Sequence, residues 1–142
     1  MFSKEDSKKL REEFWISFGK SYPHKWILYN TKIKGMVFKF HFDTKKALVA
    51  LDIDTNDLEK RINYYEKLLA LKAIITKEFL PEIIFDEYHY LSNDKEISRI
   101  YVKKDGVSIH NKNSWQETMI FMNRNMLLFE EFFMEYKDFI KS

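Results

Sequence analysis

Between Trp115 and Ile140 the residues Trp115, Met119, Met122, Met126, Phe129, Phe133, Tyr136 and Ile140 are spaced 4, 3, 4, 3, 4, 3, 4. This uninterrupted a/d row commits the segment to one long amphipathic helix. A second row, Phe121, Leu128, Phe132 and Phe139, makes its apolar face wider than a simple zipper. At 1.5 Å per residue such a helix is about 39 Å long, while a six-residue strand spans about 20 Å. A helix lying along ordinary strands therefore overhangs them by roughly half its length. Each large side chain fully buried stabilises the fold by about 1.5–3 kcal/mol, so the overhang needs cover. The cover comes from other helices or from a second copy of the chain. The expectation is a homodimer whose seam includes Met119, Met122, Met126, Phe129, Phe133 and Tyr136. A ligand pocket on this face is disfavoured, because few polar residues lie on it to orient a ligand.

The rest of the chain supplies a sheet for that helix to cover. Ser3 and Asp6 form a capping box before a first helix with the stripe Leu10, Phe14 and Phe18, ended near Gly19 and by Tyr22-Pro23. KWILYNT (25–31) reads as a first strand. In MVFKFHFD (36–43), Met36, Phe38, Phe40 and Phe42 alternate with Lys39, His41 and Asp43, the period of a half-buried strand. ALVALDI (47–53) returns from the turn at Asp43 to Lys46 as its hairpin partner. Thr55 is the expected N-cap of a helix running to Phe79 and stopped by Pro81. EIIFDEYHYL (82–91) and ISRIYVK (97–103) read as a second hairpin, VSI (107–109) as a short edge strand or link, and Asn113 or Ser114 as the cap of the last helix. The predicted fold is one α+β domain over residues 1–142, ordered α-β-β-β-α-β-β-(β)-α. Its mostly antiparallel sheet of about five strands carries long helices on one face.

Composition narrows the function classes. Only Gly19, Gly35 and Gly106 are present, no two of them close, so there is no glycine-lined phosphate cradle. The chain has no cysteine, which removes disulfides and thiolate metal sites and suits a reducing cytoplasm. No apolar run approaches the roughly 20 residues of a membrane span, and the charged first residues are unlike a signal peptide. No cofactor signature is present. The net charge of +2 does not by itself select nucleic acid.

Two polar groupings remain. A restriction-type nuclease needs carboxylates on adjacent strands to hold a divalent cation, and Asp43, Asp52 and Asp54 are the available set. No lysine follows at the place such a site requires, and turn or cap duty accounts for Asp43 and Asp54. The histidines His24, His41, His89 and His110 form no metal-spaced pair with one another, although His41/Asp43 and Glu87/His89 are i, i+2 pairs on strands. No serine sits in a nucleophile-elbow context. The second grouping is basic and aromatic: Lys34, Lys39, Arg99, Tyr101, Lys103 and Lys112 lie on or beside strands and would suit nucleic acid if they gathered on the open sheet face. Asp43, Asp52, Asp86 and Glu87 compete with them there.

The segments FWISFG (14–19), WILYNTKIKGMVFKF (26–40), ISRIYVKKDGVSIHNKNSW (97–115) and EEFFMEYKDFI (130–140) resemble, in order, a bacterial domain-of-unknown-function family. Members occur alone or C-terminal to restriction-endonuclease-like regions. The matching polar positions are Lys34, Lys39, Arg99 and Lys112, and the aromatic ones include Trp26, Tyr29, Tyr101 and Trp115. Lys32 stands where the family pattern usually has glycine, which weakens the inference of a tight turn. Asp52 stands where it usually has glutamate, which keeps the charge but shortens its reach. The resemblance implies an accessory domain that sometimes keeps the company of DNA-cleaving machinery. The leading expectation is thus a non-enzymatic interaction domain, partnered by itself and by nucleic acid or another protein. The rival is a metal-dependent nuclease-like enzyme using Asp43, Asp52 and Asp54.

Overall fold

The computed structural model describes residues 2–142. Ser3 and Asp6 make the expected capping box, and α1 (Lys4–Ser21) buries Phe14 and Phe18. An irregular segment leads to the hairpin β1 (Met36–Phe42) and β2 (Lys46–Ile53). The helical stretch that follows is broken into α2 (Leu58–Ala70), a single turn α3 (Lys72–Ile74) and a π-helical turn (Ile75–Phe79). The second hairpin is β3 (Ile84–Tyr90) and β4 (Glu96–Asp105); a 3₁₀ turn (Lys112–Ser114) then leads into α4 (Trp115–Lys141).

The four strands form one antiparallel sheet in the order β1-β2-β4-β3. One face carries the core. Met36, Phe38 and Phe42 of β1 meet Ala47, Val49, Leu51 and Ile53 of β2 and Ile100 and Val102 of β4. The long last helix lies on this face, with Phe129 and Phe133 edge-on to the Phe38 ring at 5.8 and 5.4 Å. Its overhang is covered within the chain. Trp115 packs edge-on to Phe14 of α1 at 5.4 Å, and Phe132 packs on Phe79 of the π-helical turn at 5.6 Å. The wider turn, closed by Leu80 N–H donating to the Ile75 carbonyl at 2.7 Å, lets Ile75, Phe79 and Leu80 all reach the core.

Several expectations need correction. Among the described residues the sheet has four strands rather than five. Residues 25–31 are not a strand, because Leu28 (φ 45°) and Lys32 (φ 65°) adopt left-handed backbone that breaks an extended run. The Thr31 hydroxyl tightens that turn, donating to the Ile33 and Met36 carbonyls and accepting from the Ile33 N–H. Of the two readings of residues 107–109, the link holds: Ile109 N–H donates to the Asp43 carbonyl at 2.9 Å and docks the segment on the first hairpin. The cap of α2 is Asp57, which accepts from Lys60 N–H, while Thr55 accepts from Asp57 N–H. Ser114 holds the N-cap position of α4 without capping it; its hydroxyl donates instead to the Ser108 and Asn111 carbonyls.

Candidate functional site

The open face of the sheet is set by alternation. Opposite the core residues, β1 presents Lys39 and His41, β2 presents Leu48, Ala50 and Asp52, and β4 presents Arg99, Tyr101 and Lys103. Because β2 is a central strand under long neighbouring side chains, Asp52 is 0% exposed, not on a wet surface as expected. It is held by Arg99, with Nε to Oδ1 at 2.6 Å and Nη2 to Oδ2 at 2.9 Å, and by Lys39 Nζ at 3.1 Å. The shorter reach of aspartate is therefore sufficient here. Arg99 also donates through Nη1 to His89 Nε2 at 3.0 Å, and His89 Nδ1 lies 3.1 Å from the Asp86 carboxylate. A guanidinium only donates, so His89 Nε2 accepts from Arg99 and its Nδ1–H donates to Asp86. A register shift between Asp86 and His89 brings these two onto one face, replacing the Glu87/His89 pairing expected from simple alternation. The network crosses all four strands. Beside it lies a cleft of about 310 Å³ bordered by His41, His89, Arg99, Tyr101 and Lys103.

The three carboxylates of the nuclease reading do not converge. Asp52 pairs with Val37 across the hairpin, and Asp43 lies six residues beyond Val37, about 20 Å away at strand rise. Asp43 is occupied in the turn, accepting from Lys45 and Lys46 N–H and bonding His41 Nε2 at 2.8 Å. Burial alone would raise its carboxyl, but these hydrogen bonds outweigh burial and hold it below the usual carboxylate value. Asp54 lies beyond the end of β2, where its carbonyl accepts from Lys95 Nζ. Among the described residues no three His, Asp or Glu side chains group as a metal-ligand set.

The six basic and aromatic positions do not form one surface. Lys39 and Arg99 are spent on Asp52, Lys103 pairs with Asp105 at 3.4 Å, and Lys112 pairs with Glu13 at 2.8 Å. Tyr101 borders the cleft, half-buried. Lys34 is elsewhere, on the loop before β1, exposed beside Lys32 and without an acidic partner among the described residues.

Along α4, Met122, Met126, Phe129 and Phe133 are 0% exposed within the single chain, and Met119 and Tyr136 are half-buried. The row expected at a dimer seam is thus occupied by the chain's own sheet and helices. A different stripe faces outward: Ile120, Leu127 and Met134 are exposed at heptad spacing, flanked by exposed Arg124 and Glu131.

Two buried charges escaped the sequence reading. Arg61 on the inner face of α2 donates to the Glu96 carbonyl at 2.8 Å and carboxylate at 2.7 Å, leaving its Nε without a partner. The hydrogen bond from Arg61, then that from Tyr90, holds the Glu96 carboxyl below its ordinary value. Glu130 of α4 accepts from Ile27 N–H at 2.7 Å and bonds His24 at 3.1 Å, fastening the 22–35 segment to the last helix. Arg61 had no sequence signal, being one charge among many on α2. Glu130 had one, an acid set among Met126, Phe129 and Phe133 on the apolar face.

Aromatic side chains gather where α1, this fastened segment and β1 meet. Phe40 has Trp26 at 5.5 Å, Phe18 at 5.3 Å and Trp15 at 6.2 Å, measured between ring centroids. A groove of about 450 Å³ opens beside them, with Tyr22 and Leu28 on its wall. A second of about 450 Å³ continues past Trp15 and Phe40 toward Arg11, His41 and His110.

Residues 10–137 match the family model described as Domain of unknown function (DUF4268), and the chain belongs to that family. No curated protein and no solved structure matches the chain. No helix among the described residues is long and apolar enough to cross a membrane.

Proposed function

We propose that this chain is a non-enzymatic accessory module, cytoplasmic, that acts by binding a partner. One observation carries the reading: the groups that would do chemistry are saturated structurally. Asp52 is fully buried with three cationic contacts, Asp43 closes a hairpin turn, and about 20 Å separates them. A two-metal or single-metal nuclease needs its carboxylates around a common point, and a restriction-type arrangement is not available from Asp43, Asp52 and Asp54. The test is incubation of the purified full chain with supercoiled DNA and Mg²⁺ or Mn²⁺. The expected result is no cleavage above that of an Asp43→Ala/Asp54→Ala variant. Cleavage by the unaltered chain that the variant loses would overturn the reading.

The module is further proposed to self-associate, through the outer stripe of α4 rather than the buried row. Antiparallel pairing of two copies about Leu127 sets Arg124 against Glu131 of the second copy and Ile120 near its Met134, a self-complementary arrangement of the isologous kind. Light scattering of the full chain checks this, with Leu127→Glu expected to leave a monomer.

Contact with nucleic acid, in the company of DNA-cleaving regions that the family resemblance implies, is a second reading. It is favoured by Tyr29, 77% exposed on the same loop as the exposed, unpaired Lys32 and Lys34. Filter binding at low salt tests it; retention that disappears in Lys32→Ala/Lys34→Ala and weakens with added salt is the expected result.

A further inference from the structure

The outer edge of β1 is half closed. Phe38 N–H donates to the Leu28 carbonyl at 3.0 Å, and the Met36 carbonyl accepts from the Thr31 hydroxyl at 2.7 Å. Both groups therefore point away from β2, and by the alternation of an antiparallel ladder so do the Phe38 carbonyl, the Phe40 N–H and carbonyl, and the Phe42 N–H. None of these four has a hydrogen-bond partner among the described residues. They form a short run of free strand edge directly beyond the point where the 26–33 segment stops covering it.

The same run faces the paired grooves between α1 and β1, which share Trp15 and Phe40. An edge strand lying beside a helix, with a groove between them, is the geometry in which an extended peptide adds itself to a sheet. The other edge strand, β3, is less suited, because the register shift between Asp86 and His89 interrupts its ladder.

We propose that an extended peptide segment of a partner protein docks in this groove as a fifth strand beside β1. The inference rests on the reading of the chain as a binding module and names its ligand class. The peptide residue opposite Phe40 exchanges both hydrogen bonds with it and shares its face of the sheet. That side chain meets Trp15, Phe18 and Trp26, so it is large and apolar or aromatic. Its two neighbours point to the other face, beside Lys39 and His41, and are polar. The recognised pattern is polar–apolar–polar in extended conformation. Backbone pairing supplies attachment, and the aromatic wall supplies selection.

The experiment uses the full chain and peptides selected from a displayed random heptapeptide library. A selected synthetic peptide is titrated into isotopically labelled protein, and amide hydrogen exchange is followed by NMR. At saturation the Phe40 and Phe42 amides are expected to exchange at least tenfold more slowly. The Phe38 amide, already bonded to Leu28, and the His41 amide, facing β2, are expected to change little. Trp15→Ala, checked as folded by its amide spectrum, is expected to weaken binding tenfold or more. Protection that appears elsewhere, with Phe40 and Phe42 unchanged, would overturn the groove while leaving the binding-module reading intact. A library that yields no binder would overturn it too. Concentration-dependent protection of both amides without peptide would mean that a second copy occupies the edge, again overturning the proposal. Failure of the module reading shows separately, as DNA cleavage in the nuclease assay.

Discussion

Arg99 grips Asp52 with two near-parallel hydrogen bonds, Nε to Oδ1 at 2.6 Å and Nη2 to Oδ2 at 2.9 Å, and the carboxylate is wholly out of water. Removing one partner of a buried pair strands the other, which is far more costly than removing both. Asp52→Asn is therefore expected to destabilise the domain by about 3 kcal/mol. Asp52→Leu combined with Arg99→Met is expected to recover most of that loss. Urea denaturation midpoints of the three proteins check the ordering.

Opposite signs are expected at two nearby loop positions. Lys32 holds a left-handed backbone at φ 65°, which strains any residue with a Cβ, so Lys32→Gly is expected to stabilise by up to about 1 kcal/mol. Gly35 is also left-handed at φ 84°, and a Cβ there would stand 2.6 Å from Thr55 Cβ. Gly35→Ala is expected to destabilise by about 2 kcal/mol or more. Thermal melts of both variants suffice.

Asp43 gives an acid limb to stability. Its carboxyl is held below the ordinary value in the folded chain, so the unfolded chain binds the proton more readily. The stability it contributes is present above the ordinary carboxylate range and is lost as pH falls through the lowered folded value. Asp43→Asn is expected to lower the melting temperature near neutrality and to narrow the gap to the unaltered chain as the pH drops below about 4.

The two sides of α4 are expected to respond differently to truncation. Phe129→Ala opens a cavity against Phe38 and should cost about 3–5 kcal/mol. Met134→Ala, on a side chain 60% exposed, should cost about 0.5 kcal/mol or less in a monomer. Where two copies pair through the outer stripe as proposed, the loss at Met134 is expected to be larger and to grow with protein concentration; a small, concentration-independent loss would count against that pairing.

What the sequence made legible was the part governed by period. The alternation in β1 and β2, the capping box at Ser3 and the long apolar row of α4 all express local rules that single residues obey or break. What it hid was governed by partners distant in the chain. Arg61 meets Glu96 across 35 positions and Glu130 meets His24 across 106, and no spacing rule announces such pairs. The segment at 25–31 looked like a strand because Trp26, Ile27, Leu28 and Tyr29 favour one. Tertiary anchoring at Ile27 N–H and left-handed turns at Leu28 and Lys32 override that preference. On α4, likewise, periodicity identifies an apolar face but not what covers it; Met122, Met126, Phe129 and Phe133 are covered within the single chain.

The bond from Ile27 N–H to Glu130 also imposes an order of events on synthesis. The aromatic corner near the chain's beginning is held by a carboxylate on its last helix, so a growing polypeptide has the two tryptophans and the β1 edge in place in sequence but not in shape until α4 has left the ribosome. Until then the 26–33 segment is unfastened, and the part of the β1 edge that it covers in the folded chain is also open to stray strands.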